Sequence, residues 1–209
     1  NLFDYYATSQ LTKVFLDGRT AEVGAPGIFK SNVLSPDGRY LLLERVEKPY
    51  SYTEPVNSFP SSREIWSDDG VLVRQISSST DTARSRGRAY SWRPDRPSEL
   101  VYAQSFDRKQ DSTYRDGVYG MIAPFDGEPR LIYRTTMQFG DMVWGDSQYA
   151  IVRETMRSTR KVKWTLINPE TGEAIKVIDE RSSEDTYSNP GDFLLSKGRL
   201  RINGKKSPL

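Results

Sequence analysis

One arrangement recurs three times along this chain of 209 residues and restricts its fold more than any other feature. An apolar, β-rich run over 28–34 enters the turn Ser35-Pro36-Asp37-Gly38, and Tyr40-Leu41-Leu42-Leu43 leaves it. Two further runs, Glu64-Ile65-Trp66 and Val71-Leu72-Val73, meet across Asp68-Asp69-Gly70. Proline presets φ at the first turn position, while Asp and Gly accept the unusual dihedrals that follow. Each run–turn–run unit is therefore a tight hairpin. The expected strands are 28–34, 39–47, 63–67 and 71–76. The same order returns at 89–92, 100–104, 117–123 and 130–134, and again at 139–144, 149–154, 161–167 and 174–179. Trp92 and Trp144 stand 52 positions apart, each just before the first turn of its unit.

Four-stranded units repeated at a fixed period read as blades of a β-propeller. The expected fold is all-β: a partial β-propeller with three antiparallel blades at 28–76, 89–134 and 139–179. Residues 1–27 form the outer part of a preceding blade, with a hairpin around Asp17-Gly18, and 180–209 form a crossover and the start of a further blade. Propellers close with four to eight blades, so the chain is expected to be a fragment of one propeller domain. Asn1 is not Met, and the chain is accordingly expected to be processed or cut from something longer.

Composition narrows the chemistry. Histidine and cysteine are both absent. A Ser-His-Asp triad, a Cys-His dyad, disulfides and the usual zinc sites therefore cannot be assembled from these residues. Gly145-Asp146-Ser147-Gln148-Tyr149 comes nearest to a nucleophile elbow but lacks the final glycine and sits in a turn. No phosphate loop or calcium loop is present, and neither cofactor nor metal is expected. The balance of 30 basic against 28 acidic residues leaves a net charge of +2, so no nucleic-acid footprint is expected. No apolar run reaches the length of a membrane span. The basic stretch Arg157 to Lys163 alternates along a strand and is expected to lie on a solvated face. Asp68-Asp69 belongs to a turn, where Asp bonds locally to the backbone, and Glu184-Asp185 in a crossover is placed to bind an arginine.

Connectivity sorts the loops. In an up-and-down sheet the first and third connections share one face, and the second connections and inter-blade crossovers share the other. The first set is short and structural; the second is long and spans 48–62, 77–88, 105–116, 135–138, 155–160 and 180–192. Binding residues concentrate on long loops held by a rigid scaffold. The expected contact residues are Tyr50, Tyr52, Phe59, Arg84, Arg86, Arg88, Arg108, Tyr114, Arg115, Arg157 and Arg160, whose arginines suit bidentate capture of carboxylates. Lys48 to Pro60, too proline-rich to pair within a sheet, is expected to protrude.

Several stretches together resemble the propeller of prolyl oligopeptidase-family serine peptidases, in particular the glutamyl endopeptidase-like branch. They are Leu34-Ser35-Pro36-Asp37-Gly38-Arg39-Tyr40, Lys48-Pro49-Tyr50-Ser51-Tyr52 with Phe59-Pro60, Glu64-Ile65-Trp66, Tyr90-Ser91-Trp92-Arg93-Pro94-Asp95, Ala123 to Arg130, and Arg181 to Tyr187 with Pro190-Gly191. The resemblance implies a propeller that gates and positions peptide substrates for a C-terminal α/β-hydrolase domain, its partner in the parent protein. It implies that the triad belongs to that domain, so that this chain alone is inactive. It also implies an exported or periplasmic location in a bacterium, or a plastid in a plant. The competing expectation is a stand-alone propeller-like scaffold for protein or carbohydrate partners. In either case uncovered terminal blades are expected to invite self-association.

Overall fold

The computed structural model describes residues 2–82, 86–107, 113–191, 193, 195–196 and 199–200. Nearly every element is a strand. After a short helix α1 (Leu2–Ala7) come β1 (Ser9–Val14) and β2 (Thr20–Gly27), paired as a hairpin. Three four-stranded antiparallel meanders follow in chain order. The first is β3 (Phe29–Leu34), β4 (Tyr40–Val46), β5 (Ser61–Ser67) and β6 (Leu72–Ser77). The second is β7 (Arg88–Trp92), β8 (Glu99–Ser105), β9 (Asp116–Ile122) and β10 (Arg130–Thr135). The third is β11 (Gln138–Trp144), β12 (Ala150–Met156), β13 (Lys161–Asn168) and β14 (Glu173–Ser182). A two-stranded pair, β15 (Leu195–Ser196) and β16 (Arg199–Leu200), completes the described strands. The chain is all-β and forms a partial propeller of sequential up-and-down sheets. The further blade expected to start within 180–209 reaches residues outside those described.

The fold divides into two compact units, Asn1–Arg86 with Pro124–Asp126, and Gly87–Ala123 with Gly127–Leu209. In the first unit, β4 and β5 are buried on both faces at their centres, Leu42 and Leu43 on one strand and Glu64, Ile65 and Trp66 on the other, with Leu43 and Ile65 fully buried. The β1–β2 hairpin packs on this sheet through glycine: Gly24 has φ +66° and lies where any Cβ would overlap the Trp66 ring. A Cβ at Gly70, in the β5–β6 turn, would overlap the Gly24 backbone in the same way. Lys13 Nζ also reaches Asp68 Oδ2 at 2.6 Å, so a turn carboxylate ties the hairpin to the sheet. Phe125 belongs to this unit, buried edge-on to Tyr40 with ring centroids 5.0 Å apart.

In the second unit, two sheets share one core of Val101, Ala103, Val118, Ile132, Phe139, Trp144, Ala150, Val152 and Ile167. β8, β9 and β10 of one sheet and β11, β12 and β13 of the other all contribute side chains to it. Polar residues fasten the sheet ends. At the short-turn end, the fully buried Arg93 grips Asp95 through two nitrogens at 2.7 and 2.9 Å and reaches Glu99 and Glu170 at 3.1 Å each. Its guanidinium lies 4.5 Å from the Trp144 ring centroid. Glu170 comes from the β13–β14 turn, so this one cation joins turns of both sheets. At the opposite end the buried Asp116 receives Arg88, Ser105 Oγ at 2.8 Å and the Phe139 amide at 2.7 Å.

Candidate functional site

The β4–β5 connection is pinned more firmly than its proline content predicts. Tyr50 and Phe59 stack with centroids 5.9 Å apart, and Phe3 of α1 meets both edge-on at 4.7 and 5.5 Å. Ile28, Val46 and Phe59 form the buried centre of this cluster. The Tyr50 hydroxyl donates to Asp4 Oδ1 at 2.5 Å, and Lys48 Nζ lies 3.1 Å from Asp4 Oδ2. The Tyr50 hydrogen bond, followed by the contacts from Lys48, holds the Asp4 carboxyl below the usual range; the same bond pushes the Tyr50 hydroxyl up. The loop's expected protrusion is thus corrected at both ends, because its aromatic residues find an apolar surface on α1. A single turn of 3-10 helix at Val56–Ser58 shapes the return. Tyr52 at the tip does project, 94% exposed.

Beneath the return limb lies a polar cleft of about 520 Å³, lined by Lys30, Glu44, Asn57, Arg63, Ser79 and Arg86 beside the Ser58–Ser61 backbone. Glu44 and Arg63 are directly opposed across β4 and β5, with Arg63 Nη2 2.8 Å from Glu44 Oε2. Lys30 stands where β3 slips register against β4, and its Nζ bonds the Asn57 and Phe59 carbonyls at 3.2 and 2.8 Å and Ser61 Oγ at 3.3 Å. Arg86 Nη2 bonds the carbonyls of Ser78, Ser79 and Asp81 at 3.2, 3.1 and 3.1 Å.

The residues expected to make contacts are therefore not one site. Phe59 and Arg86 share the cleft, and Tyr50 stacks on Phe59. Phe59 itself is 8% exposed, so its role here is packing. In the second unit, Arg88 is committed to the buried Asp116, and Arg160 to Glu184, as the crossover carboxylate was placed to do. For these two, carboxylates of the same chain supply the partner that a bound ligand was expected to provide. Tyr114 lies under the Arg134 guanidinium, 5.5 Å from its ring centroid, and Arg115 Nη2 reaches Gln138 Oε1 at 3.5 Å. Arg157 is exposed. Arg84 and Arg108 lie outside the described residues. Lys163 departs from the solvated face expected for its stretch. Its side chain is 16% exposed and its Nζ sits 3.1 Å from Oε1 of Glu154, whose other oxygen accepts the Thr136 and Met137 amides. Lys30, Glu44 and Arg63 were missed because they sit on strands, where charged residues read as solvent-facing; Glu44 and Arg63 flank the long loop in sequence, while Lys30 reaches it only through strand pairing.

No group of three or more potential metal ligands occurs among the described residues. The class of protein is an all-β partial propeller bearing a polar cleft beside a pinned long loop. Two curated relatives make the comparison more particular. The chain is 34% identical over 212 aligned positions to the "Probable glutamyl endopeptidase, chloroplastic" of Oryza sativa subsp. japonica, covering 94% of this chain and 23% of that protein. It is 35% identical to the protein of the same name from Arabidopsis thaliana, covering 94% and 22%. The chain thus spans less than a quarter of the length of these relatives. The resemblance carried by the sequence motifs, to the propeller region of glutamyl endopeptidase-like peptidases, is borne out. No family model matches. Among solved structures, dihydro-heme d1 dehydrogenase NirN in complex with DHE aligns with a TM-score of 0.46 and 17% identity, covering 83% of this chain and 37% of that one. The Pseudomonas aeruginosa periplasmic gluconolactonase aligns at 0.37 and 15%, covering 83% and 63%.

Proposed function

We propose that this chain is the non-catalytic propeller portion of a prolyl oligopeptidase-type serine peptidase, and that it gates and positions peptides for an α/β-hydrolase domain elsewhere in the longer protein. The observation that carries the reading is the similarity over 94% of the chain to probable glutamyl endopeptidases, in a sequence without histidine. A propeller without a triad contributes through exclusion and orientation, which act on catalysis by limiting what reaches the site and in which pose. The exposed Tyr52 at the tip of the 47–60 loop and Arg157 at the β12–β13 turn are the proposed points of contact with substrate or hydrolase domain.

The test compares the longer protein with this 209-residue chain on short peptides containing glutamate. The longer protein cleaves and the chain alone does not. Cleavage by the purified chain that resists serine-directed inhibitors and survives removal of contaminants rejects the proposal. The chain alone also self-associates in this reading, because β14 presents Ile175, Val177 and Ile178 at 53%, 49% and 41% exposure. Size-exclusion chromatography with light scattering measures it, and a monomer at high concentration argues against it.

A further inference from the structure

The cleft under the 47–60 loop carries more positive charge than its own carboxylate neutralises. Lys30, Arg63 and Arg86 line it together with one acid, Glu44, an excess of two positive charges among the lining side chains, with the Glu47 carboxylate behind them on Ser79 Oγ at 2.6 Å. Glu44 is already shared between Arg63 at 2.8 Å and Lys30 at 3.7 Å. Arg86 has no ion pair among the described residues. What holds it instead is a fan of three main-chain carbonyls, from Ser78, Ser79 and Asp81, all on its Nη2. Neutral acceptors fix a guanidinium in place without cancelling its charge. Its Nε is buried with no acceptor among the described residues.

A cation immobilised in advance binds an anion with less loss of side-chain freedom than one on a free surface, and a concave wall keeps its field from being screened. Lys30 contributes in a different way. Its three donors are spent on Asn57, Phe59 and Ser61, so it supplies field and shapes the rim, and the direct bonds fall to the arginine side.

We propose that this cleft is a binding site for a small oxyanion, a carboxylate or phosphate group, with Arg86 as its principal contact and Lys30 and Arg63 as its supporting field. The site lies wholly within the first compact unit and stands independently of the peptidase reading.

The experiment titrates the full 209-residue chain with sodium phosphate and, separately, with sodium glutarate at constant chloride, following amide signals by two-dimensional NMR. Saturable shifts are expected at Ser58, Phe59, Ser61, Ser78 and Ser79 with at least one probe. Phosphate alone, glutarate alone or both identify the source of the group, and each supports the site. Arg86→Gln weakens binding about tenfold, one good charge-assisted contact. Glu44→Gln removes the competing anion and tightens binding about fivefold, an effect that loss of folding cannot imitate. Absence of saturable shifts with both probes overturns the proposal. So does equal affinity in wild type and a folded Arg86→Gln, or failure of Glu44→Gln to tighten binding.

Discussion

Replacing Arg93 with Met tests whether the second unit is held by a buried cation or only by its apolar core. Methionine keeps most of the volume and removes the charge and all four hydrogen bonds. Glu99 would retain Arg130, 3.4 Å away, and Glu170 would retain Arg96 at 2.8 Å. Asp95, whose side chain is 4% exposed, has only Arg93 as an ion-pair partner among the described residues. The loss is therefore concentrated on one buried carboxylate. Breaking a buried pair from one side costs about 3–5 kcal/mol, against about 0–1 kcal/mol for an exposed pair. The guanidinium over Trp144 adds about 1–2 kcal/mol in a desolvated setting. Set against a total stability of about 5–15 kcal/mol, the variant should lose a large part of its folding free energy. Urea denaturation read by tryptophan fluorescence and near-ultraviolet circular dichroism measures it. Removing the stranded charge as well, in Arg93→Met with Asp95→Asn, should restore about half of the loss, because a neutral amide left without its partner is less costly to bury than an orphaned ion. Arg93→Lys should fall between the two, since an ammonium cannot span three acceptors in the plane of a fork. A loss under about 1 kcal/mol for Arg93→Met would refute the reasoning and class the network as a surface ion pair.

Three further outcomes are expected. Burial, reinforced by the Glu154 charge, pushes the Tyr133 hydroxyl from its ordinary value near 10 up to about 12. The folded state then favours the protonated form, so that this stability is complete below pH 10 and is lost as pH rises from 10 to 12; Tyr133→Phe should flatten the alkaline stability curve by roughly 2 kcal/mol over that window. Gly24→Ala should destabilise the first unit by about 3 kcal/mol, combining the left-handed backbone with overlap on Trp66, and should alter tryptophan fluorescence in the native state. Lys30→Met releases the Asn57 and Phe59 carbonyls, and hydrogen exchange should quicken at the Ser58 and Phe59 amides while those of β8 and β9 keep their protection.

The repeat of apolar runs and turns placed twelve strands in three meanders without recourse to coordinates, because alternation and turn chemistry are local properties. The hairpin around Asp17-Gly18 was legible for the same reason. The helix Leu2–Ala7 was not: its six residues are too few for a periodic signal, and it exists because Phe3 and Ala7 pack against the Tyr50–Phe59 cluster. Phe125 lies in a short connection between two strands, yet it is 2% exposed.

The same division runs through the candidate site. Sorting loops by connectivity pointed to the 48–62 loop and to Arg86, and both contribute to the cleft. It could not say which arginines were already spoken for. Arg88 and Arg160 look alike in sequence, but one meets a buried Asp116 and the other an exposed Glu184, partners 28 and 24 positions away. What the sequence by itself determined was the period, the turns and the absence of imidazole and thiolate chemistry, all set by residue identity and near neighbours. The tertiary structure alone decided where charge stays unneutralised, since electrostatic balance depends on distances between strands and loops that no local pattern encodes.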